Sequence, residues 1–159
     1  MSGKVKSLAI VAFFCTCVPL LSSCATLGPV YQKADKLPDN TGLVYFYRPS
    51  SFIGGGVAYD IKTGDNNVIT TLHNGGYFPY FSNPGEVEFW AKTESRSSIT
   101  LDVKQGQVYY VKGTVGVGFF VGRPHLIAVP NDVGEKEIVD CKLIPSPNKE
   151  EEKEHKGKQ

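Results

Sequence analysis

An all-β sandwich is the fold class this sequence predicts, on three observations. Short runs of β-branched and aromatic residues recur from Gly42 onward at spacings of about 8–12 residues. Gly, Pro and Asn clusters break the chain between them, as turns require. Two of the runs alternate apolar and polar residues with strict period two, the pattern of strands with one buried and one wet face. Together these predict seven or eight short strands in a sandwich or barrel, with one short helix near the end.

The elements follow in order. Leu43 to Tyr47 is dense in β-formers and stops before Pro49. Val57, Tyr59 and Ile61 alternate with Ala58, Asp60 and Lys62, and Gly64 to Asn67 supply a turn into Val68–Leu72. Asn74-Gly75-Gly76 turns the chain into Tyr77–Phe81, and Asn83-Pro84-Gly85 turns it again. Val87, Phe89 and Ala91 then alternate with Glu86, Glu88, Trp90 and Lys92, and Ile99, Leu101 and Val103 with Ser98, Thr100, Asp102 and Lys104. After Gln105-Gly106 comes Val108–Val111, and a last run covers Phe119 to Val129. Pro124 lies inside that run and has no N–H for a ladder, so it predicts an edge strand or a break. Asp132 and Glu135 have capping-box spacing, which places a short helix at Glu135–Leu143 with Ile138 and Cys141 on its buried stripe.

The flanks are of another kind. Lys4 and Lys6 precede Leu8–Leu21, a stretch without charge that is shorter than the ~20 apolar residues of a membrane span. Leu21-Ser22-Ser23-Cys24 follows directly and resembles the lipobox of bacterial lipoproteins. That resemblance implies a signal peptide over residues 1–23, cleavage between Ser23 and Cys24, and lipid on Cys24 that anchors the chain to a membrane. Two or more acyl chains hold a protein stably where one does not. Ala25, in place of an aspartate, implies sorting to the outer membrane where the host has one. Residues 24–41 read as the lipidated N-terminus and a flexible tether spanning roughly 20–25 Å. Residues 42–144 read as the sandwich, expected to fold by themselves, and residues 145–159 as a charged tail.

Several blocks carry a family resemblance: Gly42–Pro49 (GLVYFYRP), Tyr59-Asp60-Ile61, Leu72–Phe78 (LHNGGYF), Pro84-Gly85 and Gly106–Lys112 (GQVYYVK). In order and spacing they resemble the bacterial lipoprotein family called domain of unknown function 2846. The Asn83–Glu86 turn and the strand after it also resemble the PEGA-type β-sandwich repeat. Both resemblances imply an immunoglobulin-like or transthyretin-like sandwich and carry over no catalytic residue.

The chemistry-bearing residues are sparse. With Lys4 and Lys6 removed from a chain of 17 basic and 16 acidic side chains, the remainder is close to neutral, which gives no footprint for nucleic acid. His73 and His125 have no partners at zinc-ligand spacing, and Asp60, Asp65 and Asn66 fit a turn better than a calcium loop. Neither glycine group, Gly54–Gly56 nor Gly113, Gly116, Gly118 and Gly122, is followed by Gly-Lys-Ser/Thr, so they read as turns and close contacts. No cofactor is implied. Cys141 lacks a disulfide partner once Cys24 is acylated and reads as a small buried hydrophobe.

Two function classes remain. One is a non-catalytic binding or structural module with an envelope protein or glycan as partner. Its candidate surface is Trp90, Tyr77 and Tyr80. Trp90 falls on the charged face of its strand, where it either meets a partner or is covered by another part of the chain. The other class is a hydrolase acting on envelope glycans or peptides, with Glu86 or Glu88 as proton donor.

Overall fold

The computed structural model describes residues 27–146. Two sheets face each other. The first has the order β8 (Arg123–Val129), β7 (Val108–Gly116), β1 (Gly42–Tyr47), β4 (Gly76–Ser82), β9 (Lys142–Leu143). The second has the order β3 (Val68–Leu72), β2 (Tyr59–Thr63), β5 (Gly85–Lys92), β6 (Arg96–Val103). All pairings are antiparallel except β1 with β7 and β4 with β9. The predicted all-β sandwich is therefore the fold. The two-residue β9 is an addition too short to carry a sequence pattern.

Strand alternation builds the inner core. Val44 and Phe46 of β1, Ile61 of β2, Phe89 and Ala91 of β5 and Val111 of β7 are fully buried between the sheets. The Phe46 and Phe89 rings meet edge to face across the gap, 5.1 Å between centroids, a favoured aromatic geometry. Gly113 of β7 lies where any Cβ would run into Leu72 and the Tyr59 ring, so the strands approach closely there only because it has none.

β1 is buried on both faces, which explains its unbroken apolar run. Its other face presents Leu43, Tyr45 and Tyr47 to a second core with Tyr77, Tyr110, Ile138 and Cys141. Two pieces of chain cover this core. One is α1 (Asn131–Glu137), whose Gly134 sits against the Tyr110 ring. The helix starts and ends earlier than the predicted Glu135–Leu143. Pro130 stands at its N-cap with no side-chain cap bond, because φ near −55° pre-sets the entry that a capping box would otherwise secure. Ile138 and Cys141 are buried as expected, just past its end.

The second cover is the segment read from sequence as a tether. Residues 27–41 are docked on the sandwich. The Gly28 N–H donates to Leu143 O at 2.7 Å, the Tyr31 N–H donates to Cys141 O at 2.8 Å, and Val30 bridges Lys142. The Tyr31 ring packs edge-on against Tyr45 and Tyr77, with centroids 5.3 and 5.2 Å away. Leu37 and Ala34 pack against the same core. The segment has neither a helical nor a strand period, but three apolar anchors three residues apart suffice for docking in extended form. The leader expected over residues 1–23, the expected lipobox residues Leu21, Ser22, Ser23 and Cys24, and residues 147–159 of the expected tail lie outside the described residues.

β8 is the outer strand of its sheet, as Pro124 requires, and Leu126 N–H donates to Ser97 Oγ at 3.0 Å across to the second sheet. The sandwich is thus closed on its β6–β8 side. Phe119 to Val121, expected as part of that strand, instead form the β7–β8 turn.

Candidate functional site

Trp90 stands on the outer face of the second sheet, level with Lys62 on β2 and Ser98 on β6. Neither half of the expected choice holds in full. The ring is partly buried, but what covers it is charge: Lys62 Nζ lies 5.3 Å and the Arg96 guanidinium 4.6 Å from its centre, and its Nε1 donates to Thr63 O at 2.8 Å. Cation–π attraction with the ring face holds both cations in place. Arg96 also donates to Glu88 at 2.9 Å. On this face Trp90, Arg96 and Glu88 are thus matched to one another.

Tyr77 and Tyr80 do not join Trp90. Tyr77 is 4% exposed and belongs to the second core, so its assignment to a binding surface is corrected: α1 and residues 27–41 cover the face it occupies. Tyr80 points between the sheets, against Phe46 and Phe89. It does reach solvent, because the sandwich is open on its β3–β4 side. A cleft of about 580 Å³ lies there, with Phe78, Tyr80 and Val87 among its apolar lining and Asp65, Asn67, Glu86 and Glu88 among its polar lining. Its geometry suits a ligand with both a flat apolar side and hydrogen-bonding groups. Thr63, also in its wall, has a buried hydroxyl without a partner among the described residues.

One end of the sandwich holds what sequence reading missed. The β1–β2 loop and the β7–β8 turn project there. Phe52 and Ile53 on the first, and Val117, Phe119, Phe120 and Val121 on the second, are exposed apolar residues, with Phe119 83% and Phe120 87% accessible. The signal was available: Phe52-Ile53 is an apolar pair followed by Gly54–Gly56, and Val117 to Val121 lie among Gly116, Gly118 and Gly122.

Neither loop is loosely tied. Arg48, 2% exposed, donates from Nη1 to Val57 O at 2.5 Å and from Nη2 to Gly54 O at 2.7 Å. On the other loop one carboxylate of the β5–β6 turn does the tying. Glu94 accepts from the backbone N–H of Phe119 at 2.8 Å, of Val121 at 2.6 Å and of Phe120, and Thr93 Oγ1 donates to Gly122 O at 2.5 Å. Backbone donors from Val121, Phe119 and Phe120 hold the Glu94 carboxyl down at about 2, against an ordinary 4.5. Because the folded value is depressed, the tie is complete above the ordinary 4.5 and is lost as pH falls through about 2. In an amide NMR titration the Phe119–Val121 signals should therefore move with a midpoint near 2. A midpoint at the ordinary value would show the turn untied.

The remaining chemistry is quiet. Cys141 is buried, and burial pushes its thiol up to about 11, which suits a packing residue and not a nucleophile. Glu86 is exposed and Glu88 is tied to Arg96, so neither sits in the dry surroundings that a carboxylic acid donor needs. Asn66, at φ 66° with its N–H on Thr63 O, is a turn residue. Among the described residues no group of three or more His, Cys, Asp and Glu could hold a metal ion, and no helix is long and apolar enough to cross a membrane.

No curated protein and no solved structure matches the chain. A family model does match, over residues 38–122, from the end of the docked N-terminal segment through the β7–β8 turn. More than half of the chain is covered, and the protein belongs to the family described as protein of unknown function (DUF2846).

Proposed function

We propose that this chain is an envelope lipoprotein, anchored by lipid on Cys24, whose β-sandwich is a non-catalytic binding or structural module held flush against the membrane. The observation that carries this reading is the docking of residues 27–41. Only Ala25 and Thr26 separate Cys24 from Leu27, which packs against the inner core. Three residue steps reach about 10 Å at most, so lipid on Cys24 leaves the domain no freedom to stand away from the bilayer. The open β3–β4 cleft is the surface offered to a partner. Its Phe78 and Tyr80 floor and its Asp65, Asn67 and Glu86 rim suit an envelope glycan, with sugar faces on the rings and hydroxyls on the rim. Ala25 supports the outer membrane as destination in a host with two membranes.

Cys24→Ala tests the anchor. The variant should accumulate as a larger, uncleaved precursor that takes up no labelled fatty acid. Label entering the variant would refute Cys24 as the acceptor, and fractionation of the wild-type chain wholly with the inner membrane would refute the sorting.

A further inference from the structure

We infer that the apolar end of the sandwich, formed by Phe52 and Ile53 on the β1–β2 loop and Val117, Phe119, Phe120 and Val121 on the β7–β8 turn, inserts into the lipid bilayer as a second, non-covalent attachment. The inference deepens the anchoring reading, since it names the face that meets the membrane.

Four observations support a bilayer as the occupant. The first is shape. These side chains protrude from two turns, with Phe52 fully exposed and Phe119 and Phe120 nearly so. Protein partners gain most from residues seated in packed, desolvated pockets, whereas protruding apolar tips enter a fluid that flows around them.

The second is the state of the backbone. Hydrocarbon offers nothing to hydrogen-bond a free N–H, so a polypeptide entering it must arrive with its amides already matched. In the β7–β8 turn the amides of Phe119, Phe120 and Val121 all bond the Glu94 carboxylate, and Arg123 Nε approaches the same carboxylate at 3.9 Å. One acid on the neighbouring turn thus matches three consecutive donors of the β7–β8 turn.

The third is charge. Lys92 at the foot of the β5–β6 hairpin and Arg123 at the foot of the β7–β8 hairpin flank the apolar tips and are exposed. Cations just behind an inserted apolar edge lie where lipid phosphates lie.

The fourth is reach. With residues 27–41 docked, the short link to Cys24 brings some face of the domain to the bilayer, and of the described surface this end carries the densest exposed apolar group. The lipid on Cys24 fixes one point of the domain and the inserted loops would fix a second, which sets the orientation of the β3–β4 cleft relative to the membrane.

The experiment uses the full lipidated chain in phosphatidylcholine–phosphatidylglycerol vesicles whose acyl chains carry bromine, a short-range quencher of tryptophan. Phe120→Trp and, separately, Phe52→Trp place a reporter at each tip, and Val68→Trp places one on the start of β3. The emission added over that of the parent chain is read, so Trp90 remains in place and folding is undisturbed at these exposed positions. At both tips the added emission should shift to the blue and lose intensity in brominated vesicles, while that of Val68→Trp should not. A chain that pellets with the vesicles but shows no quenching at either tip overturns the inference and leaves the lipid anchor standing. A chain that fails to pellet overturns both. A blue shift without bromine quenching, with Phe120→Cys chains cross-linking in pairs, assigns the tip to a second copy and overturns insertion.

Discussion

Removing residues 1–41 is expected to cost the sandwich about 3–5 kcal/mol and to make it associate. The loss comes from the second core. Tyr31 covers the edges of Tyr45 and Tyr77, its hydroxyl lies 3.3 Å from that of Tyr110, and the Tyr45 hydroxyl accepts from the Ala34 N–H at 3.0 Å. Taking the segment away returns these rings to water and leaves the buried Tyr45 without that partner. Burial already pushes the Tyr45 hydroxyl up to about 12, so ionisation offers no relief near neutral pH. The ordering entropy of fifteen residues offsets most of the gross burial, which is why the net figure is a few kcal/mol. A chain starting at Leu27 keeps every one of these contacts and serves as the control. Urea midpoints and sedimentation of the two chains check the prediction. Equal midpoints and two monomers would mean that the segment merely rests on the surface.

Arg48→Ala is expected to cost about 2–3 kcal/mol, and Arg48→Lys to recover little of it. Hydrogen bonds from a charged donor contribute about 1.5–3 kcal/mol each, and Arg48 makes two, to Gly54 O and Val57 O. Against them stands the burial of a cation with no ion-pair partner among the described residues. Desolvation lowers its pKa, and the Tyr59 ring, 5.7 Å below the guanidinium, partly compensates. The planar fork is what allows one side chain to hold two carbonyls three residues apart; a lysine offers a single point of charge. Without Arg48 the loop bearing Phe52 and Ile53 should loosen first. Chymotrypsin cleavage after Phe52 would then speed up in both variants, alongside a lower urea midpoint. Wild-type behaviour of Arg48→Lys would show that charge alone, and not the fork, holds the loop.

Strands were legible because their code is local. Period two in Val87–Ala91 and Ile99–Val103 reports one wet face wherever those strands lie, and β5 and β6 appear there. Pro124 reported an edge because a missing N–H is a fact about one residue, and β8 is that edge. The helix boundaries drifted because Pro130 supplies by its ring what a capping side chain would supply by a bond. Family membership was legible for a related reason: its signature blocks are turns and strand ends, whose residue types answer to backbone geometry.

The candidate site was not legible, and Trp90 and Tyr77 show why. Both are aromatic residues on alternating strands, and alternation says only that neighbours face opposite ways. Which face is covered depends on what else docks. α1 and residues 27–41 happen to lie over Tyr77, whereas among the described residues no such layer lies on the outer face of the second sheet and Trp90 is left to Lys62 and Arg96. The sequence by itself determined the fold class, the edge at β8 and the turns, since each rests on residues adjacent in the chain. Only the tertiary structure decided that the tether is a docked segment, that Glu94 buttresses a turn 25 residues away, and that two glycine-flanked apolar clusters share one end. Those outcomes depend on distances between segments far apart in sequence, which no local pattern encodes.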